Sequence, residues 1–366
     1  MQRNMKKNWL TTATFFTAFT AIVNADVDNA QMRNLENRVS ALEQRRGASG
    51  MINPPARPQV KDGADLFVFG DLLVWQPREN GMAVCIINEG TNPSTNLSDA
   101  DVRNMDFEWN VGFRVGVGYN LPHDGWDMSL TWLRFHGHGH RRVHADSDEV
   151  IYPRFTHPAD PISDNLTCSK LHAHWKGFLN QLDFDFGREF FVSKWLTVRP
   201  HFGLRSDWIW QKLSVDNNRF ASSGLDVDDR FKDHWWGIGL EGGLNTLWGL
   251  GSGWSIYGDV GAAIIYGFHH ITQKEKIEGS SGKFENLENS YHISHPILDL
   301  ALGLRWDHMF EHDRFHIGLH AGWEHHVYFS QNQFLYFTDD FNTGNFVTNQ
   351  GDLTFQGWTV GARFDF

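Results

Sequence analysis

From residue 64 to its last residue the chain alternates apolar and polar side chains with a period of two. Phe107, Trp109, Val111, Phe113, Val115, Val117, Tyr119 and Leu121 are all apolar, and every residue between them is polar or glycine. Successive side chains of an extended strand point to opposite faces, so this spacing makes a strand with one greasy face. The same pattern returns in residues 126–132, 196–204, 236–240, 254–268, 298–306 and 315–323. A helix needs a period near 3.6, so the body of the chain reads as a ladder of β-strands.

The second face of each strand decides what kind of ladder it is. Between the apolar positions stand Glu108, Arg114, Arg199, Arg205, Asp207, Glu241, Asp259, Asp299, Arg305, Asp307, Arg314, Glu324 and Arg363. A soluble barrel or sandwich would turn the apolar face inward, whereas a membrane barrel turns it to lipid and lines its lumen with the charged face. Aromatic residues make up 14% of the chain, and Trp109, Tyr119, Trp126, Trp132, Trp208, Trp236, Trp254, Tyr266, Trp306 and Trp323 fall near the ends of apolar runs. That is the distribution of two interfacial girdles, and it favours the membrane barrel. A mean hydropathy of −0.43 does not oppose this, because only every second strand residue faces lipid. No run approaches the roughly 20 apolar residues of a spanning helix. The net charge of −12 disfavours nucleic acid as a partner.

The N-terminus indicates export. Arg3, Lys6 and Lys7 precede an uncharged run over residues 9–23 that closes on Val23-Asn24-Ala25, so residues 1–25 read as a cleaved signal peptide. A retained anchor is the alternative, and five threonines dilute it. Residues 26–46 read as a short helix, with Met32, Leu35, Val39 and Leu42 on one seam. Arg38 and Glu43 bracket the seam as in trimeric coiled coils, so the segment is either a homotrimer element or a short amphipathic periplasmic helix. Residues 47–64, with Pro54, Pro55 and Pro58, read as an extended linker, and 65–366 as the barrel.

At the other end Trp358, Val360, Ala362, Phe364 and Phe366 alternate with polar residues or glycine, and the sequence stops on phenylalanine. This resembles the C-terminal signal by which the outer-membrane assembly machinery recognises barrel proteins. Short connections at 122–125, 187–194, 247–253 and 309–313 alternate with long ones at 89–105, 139–168, 214–232, 272–289 and 329–351. The expectation is an all-β, antiparallel up-and-down transmembrane barrel of ten strands, or twelve if segments 82–88 or 326–337 add hairpins. Both termini are then periplasmic. The apolar register of residues 171–186 changes near Asn180, which suggests a β-bulge there.

The segments Ala64-Asp65-Leu66-Phe67, Asp71-Leu72-Leu73-Val74-Trp75 and Glu79-Asn80-Gly81-Met82 resemble the barrel entry of the Legionella-type major outer membrane protein family, which has many members in environmental chlamydiae. Gly116-Val117-Gly118-Tyr119, Asp124-Gly125-Trp126-Asp127 and the stretch from Trp236 to Gly243 fit the same pattern. The resemblance implies a porin-like barrel in the bacterial outer membrane, passing small hydrophilic solutes by diffusion. Family members in chlamydiae are often cross-linked through many cysteines, whereas this chain has two.

The charged positions above are the candidate pore lining, and inward glycines such as Gly116, Gly118, Gly303 and Gly322 would widen so small a barrel. Cys85 and Cys168 fall near exterior connections in an oxidising compartment, where they bridge each other, pair with another chain or stay free. His136, His138 and His140 would share one strand face and offer a weak metal site; the plainer reading is a solvated rim. No cofactor motif is present. Asp207, Asp299, Asp307 and His320 could be assembled into a barrel protease or phospholipase only on paper, so an enzyme is not expected. The alternative to a porin is a surface adhesin or structural envelope barrel whose exterior loops contact a host.

Overall fold

The computed structural model describes residues 54–89, 99–122, 124–157, 167–219, 226–277, 283–338 and 345–366. The signal peptide and the coiled-coil segment lie outside the described residues.

Ten antiparallel strands form the wall: β1 (Leu66–Glu79), β2 (Asn110–Asn120), β3 (Trp126–His144), β4 (Cys168–Arg188), β5 (Leu196–Arg219), β6 (Asp226–Gly251), β7 (Trp254–Ile277), β8 (Lys283–Phe310), β9 (Phe315–Asn332) and β10 (Gly351–Asp365). Each pairs with its neighbour in sequence, and β10 returns to β1 from Phe67↔Asp365 to Glu79↔Leu353, closing the sheet. Short strands outside the wall, among them Ala83–Glu89, Ala100–Asn104 and Glu149–Pro153, pair among themselves over the loop end of the barrel. Of the segments that would have made twelve strands, 82–88 lies outside the ten-stranded wall, and 326–337 is split between wall strand β9 and the short strand Leu335–Phe337.

The tight turns follow their residues. Asp124-Gly125 and Ser252-Gly253 all hold positive φ, 54° and 73° in the first pair and 51° and 83° in the second. Such turns match the twist of the strands they join, and they gather at one end.

The long connections expected at 214–232 and 272–289 are largely strand. β5 and β6 stay paired up to Asn218↔Asp226, and β7 and β8 up to Lys276↔Lys283. The wall thus rises well beyond its lipid-facing zone. On β6 the outward face is apolar from Trp236 to Trp248, about 30 Å of height at the usual strand rise and tilt, which fits a hydrocarbon layer. Beyond Trp236 the outward residues are His234, Lys232 and Arg230, while Trp235, Phe231 and Val227 turn inward and are buried.

This inversion explains the register change near Asn180. β4 pairs with β5 without interruption from His201↔Gly187 to Asn218↔Lys170, so no bulge lies there. Odd-numbered residues face inward throughout; they change from Asp185, Asp183 and Gln181 to Leu179, Trp175 and Leu171 as the strand leaves the lipid zone. The geometry is continuous and only the chemistry of the two faces is exchanged.

Residues 54–64 do not hang free as a linker. Ala56 N donates to Glu189 O at 3.0 Å, Arg57 Nη1 to Trp126 O at 3.0 Å, and Lys61 N to Asp313 O at 2.8 Å. The β4–β5 and β8–β9 turns lie on opposite sides of the wall, so the segment forms a strap across the short-turn end.

Candidate functional site: the barrel interior

At the level of the lipid-facing belt the interior holds a cavity of about 350 Å³ lined by charged side chains. The sheet closure determines which of them meet. Arg114 on β2 donates to Asp71 on β1 at 3.0 Å and grips Glu324 on β9 with both terminal nitrogens, at 3.1 and 2.5 Å. Glu324 and Asp299 on β8 are joined by His326, whose ring nitrogens lie 3.1 Å from Glu324 and 2.7 Å from Asp299. Arg205 on β5 completes the chain: 2.5 Å to Asp299, 3.0 Å to Asp183 on β4 and 2.8 Å to Glu241 on β6. These bonds cross the lumen from one wall to the other, and bidentate guanidinium contacts are the strong kind.

Closer to the short turns Arg199 holds Asp127, and His316 lies between Asp307 at 3.0 Å and Asp365 at 2.7 Å, with Arg305 on the former and Arg363 on the latter. Asp259 lines the cavity, and Asp207 is buried on β5 between Arg205 and the apolar Ile209. Eleven of the thirteen sequence-derived lining positions thus face the interior. Glu108 and Arg314 do not. Glu108 follows the short strand Asp106–Phe107 and contacts His140 on the outside of the wall at 2.7 Å, and Arg314 is exposed at the β8–β9 turn. Alternation assigns a face only within a strand, and both residues sit just outside one.

Nor do the inward glycines open space. Phe67 and Phe69 on β1 lie over Gly118 and Gly116 of β2, and Tyr257 on β7 covers Gly303 and Gly322, so that a Cβ at any of the four would collide with a ring. The glycines let neighbouring rings lie flat against the wall, and the rings occupy the lumen.

Beyond the upper girdle the interior is an apolar core. Trp75, Trp175, Trp235, Phe135, Phe355, Tyr328 and Phe334 are each at most 1% exposed, and Leu133, Leu179, Ile209, Ile265 and Leu353 pack with them. The sequence reading missed this core, whose signal is the inward set Ile209, Leu213, Val215, Val227, Phe231 and Trp235, interrupted by Gln211, Asp229 and Asp233.

Cys85 and Cys168 are both buried in that core and are not bonded to each other. Cys168 is paired across from Ile151, and Ile151 across from Ile87, so a whole strand separates the two cysteines, roughly 10 Å of lateral distance. A disulfide needs Cα atoms within about 7 Å, so the intrachain bridge does not form. Burial pushes the Cys85 thiol up to about 11.

His136, His138 and His140 share the outward face of β3 as expected, but each imidazole has its own neighbour. His136 meets the Phe178 ring edge-on, His138 Nδ1 lies 2.9 Å from Asn110 Oδ1, and His140 meets Glu108. Among the described residues no group of His, Cys, Asp or Glu is arranged to hold a metal. Asp299, Asp307 and His320 are dispersed over separate interior contacts, with His320 on Asp71 at 3.3 Å.

A closed ten-stranded wall, a lipid-facing belt between aromatic girdles and a charged lumen describe an outer-membrane barrel, and the family comparison decides which. The family model described as the Legionella pneumophila major outer membrane protein precursor matches residues 58–366. The chain belongs to this family. Membership agrees with the barrel entry at residues 64–82 and places the protein in the outer membrane. No curated protein matches the chain. Among solved structures, the outer membrane protease OmpT of Escherichia coli is similar over 85% of this chain and 100% of its own, at 7% identity and a TM-score of 0.40. Ail, the attachment invasion locus protein of Yersinia pestis, covers 84% of this chain and 100% of its own at 10% identity and a TM-score of 0.23. The translocator domain of the autotransporter NalP from Neisseria meningitidis covers 97% and 99% at 11% identity and a TM-score of 0.29.

Proposed function

We propose that this family member is an outer-membrane barrel with a sealed lumen, which works through the part of the wall and loops standing above the bilayer, as a surface-contact and envelope-building protein. The observation that carries this reading is the apolar core beyond the upper girdle. Trp175 and Trp235 are fully buried there, and a ten-stranded barrel filled with such rings has no room for a water column. The ion-pair chain through Arg114 and Arg205 and the strap at the short-turn end support it from below. On this reading the short turns and both ends of the barrel domain face the periplasm, as in barrels of known orientation. The small strands over the loop end are the surface for a host or envelope partner. No catalytic step is assigned, because Asp299, Asp307 and His320 are engaged in separate contacts, with His326, His316 and Asp71, and share no constellation.

A second reading, porin-like passage of small hydrophilic solutes, draws on the charged cavity of about 350 Å³ and on the resemblance to porin-like relatives. It requires the apolar core to move aside. Conductance of the refolded protein in planar bilayers separates the two. Protein shown to be folded by its heat-dependent gel mobility should give no discrete steps. Reproducible steps with a defined ion selectivity would overturn the sealed barrel and establish the porin.

A further inference from the structure

The outward face above the aromatic girdle carries a feature that neither reading uses. Lys212 on β5 is paired directly across from Lys176 on β4 and from Lys232 on β6. Three ammonium groups therefore stand side by side on adjacent strands, with neighbouring strands about 4.8 Å apart. His138 extends the row beyond Lys176. Like charges directly opposite one another destabilise a sheet, so a row of three calls for a compensating anion. Among the described residues no ion pair neutralises these lysines: Asp233 points inward and is buried, Asp228 is taken by Arg230 at 2.6 Å, and the outward Asp216 lies across from Asp228, two steps above the row.

What lies below the row identifies the anion. One step toward the lipid belt the same strands present Phe178, Trp210 and His234 outward, with the Trp210 and His234 rings 5.8 Å apart. Two steps further Leu182 and Ile238 flank Ser206, and at the third step Leu204 lies between Phe184 and Leu240; these large side chains are exposed as hydrophobics are only when lipid covers them. Positive charge at headgroup level, continuous with rings and then with a bare acyl-chain surface, is complementary to an amphiphile that carries phosphate above hydrocarbon chains.

We propose that the outer face of β4, β5 and β6 is a binding site for a phosphate-bearing lipid of the surrounding leaflet, with Lys176, Lys212 and Lys232 holding the phosphate and Trp210 and Phe178 the start of its chains. The inference depends on the membrane placement of the belt and not on whether the lumen is sealed.

The test is native mass spectrometry of the folded, detergent-solubilised barrel titrated with phosphatidic acid, with phosphatidylcholine as the uncharged-headgroup control. Wild-type protein should retain phosphatidic acid in preference to phosphatidylcholine. Replacing the row as Lys176→Ser, Lys212→Ser and Lys232→Ser should weaken phosphatidic acid retention about a hundredfold, at roughly fivefold for each lysine near the membrane surface, and leave phosphatidylcholine unaffected. The Lys→Arg triple variant should bind like wild type. If the serine variant does not fold, Lys212→Glu alone, on a fully outward side chain, should lose binding by tenfold or more. Equal retention by wild type and folded serine or glutamate variants would overturn the site. Displacement of the lipid by millimolar inorganic phosphate would also overturn it, since the row would then be a free-anion site with no use for the apolar surface below.

Discussion

Arg205 stands where a lumen at bilayer depth leaves little freedom. One guanidinium serves Asp183, Glu241 and Asp299 while itself only 8% exposed. Removing the cation would leave three largely buried carboxylates facing one another, and breaking such a pair by deleting one partner costs about 3–5 kcal/mol. Arg205→Ala should therefore lower the unfolding free energy, read from urea titration of the heat-modifiable form, by that amount, whereas Lys61→Ala, which breaks an ion pair with side chains 67% and 48% exposed, should leave it unchanged within about 1 kcal/mol. An equal effect of the two would show that the lumenal pairs are as weak as surface ones. The cysteines make a second residue-scale case. With its thiol buried and pushed up to about 11, Cys85 forms very little thiolate at pH 8. Maleimide at pH 8 should label neither cysteine in the folded barrel and both after boiling in detergent, and mobility with and without reductant should be the same. Labelling that needs prior reduction would reveal a disulfide instead.

At the scale of the element, the faces of the strands were legible where one environment lay on each side. Residues 110–120 and 254–268 follow the alternation expected of a lipid-facing strand, and the lumenal positions Arg114 and Asp259 on them came out correctly. What escaped was the exchange of faces along a single strand. β4 keeps its parity from Arg188 back to Lys170, but along that path its inward side chains turn from acidic to apolar halfway, so the sequence mimics a slipped register. The same exchange made 214–232 and 272–289 look like loops, because inward Asp229, Asp233 and Glu275 interrupt the apolar set. Partners across the lumen, such as Arg114 and Glu324, were not legible at all, since local alternation says nothing about which strands the closed wall brings face to face. The strap is the remaining element. It contributes three backbone hydrogen bonds, to Glu189, Phe191 and Asp313, and lies before the first wall strand at Leu66. A chain lacking residues 1–63 should therefore still refold to a heat-modifiable barrel; failure to do so would make the strap part of the folding unit and not a cover over its base.

The whole molecule is two kinds of protein stacked on one sheet. In the lower part the apolar face is outside and ion pairs fill the interior; in the upper part a hydrophobic core, which also buries Asp229, Asp233, His269 and Glu275, lies under a polar surface. The two parts answer to different solvents. Lipid sustains the lower belt whatever the denaturant does to the aqueous phase, while the upper core depends on water exclusion and weakens in urea as any soluble core does. Unfolding in bilayers should accordingly proceed in two steps, with the buried tryptophans of the upper part losing their near-ultraviolet dichroism before the heat-modifiable mobility of the barrel is lost. Trp175→Ala, at a fully buried position beyond the girdle, should move the first step by about 3–5 kcal/mol and leave the second in place. A single transition shifted as a whole would mean that the continuous hydrogen-bonded strands couple the two parts more tightly than their separate cores divide them. In that case the apolar core could not move aside while the barrel stayed folded, and gated passage through the lumen would lose its structural basis.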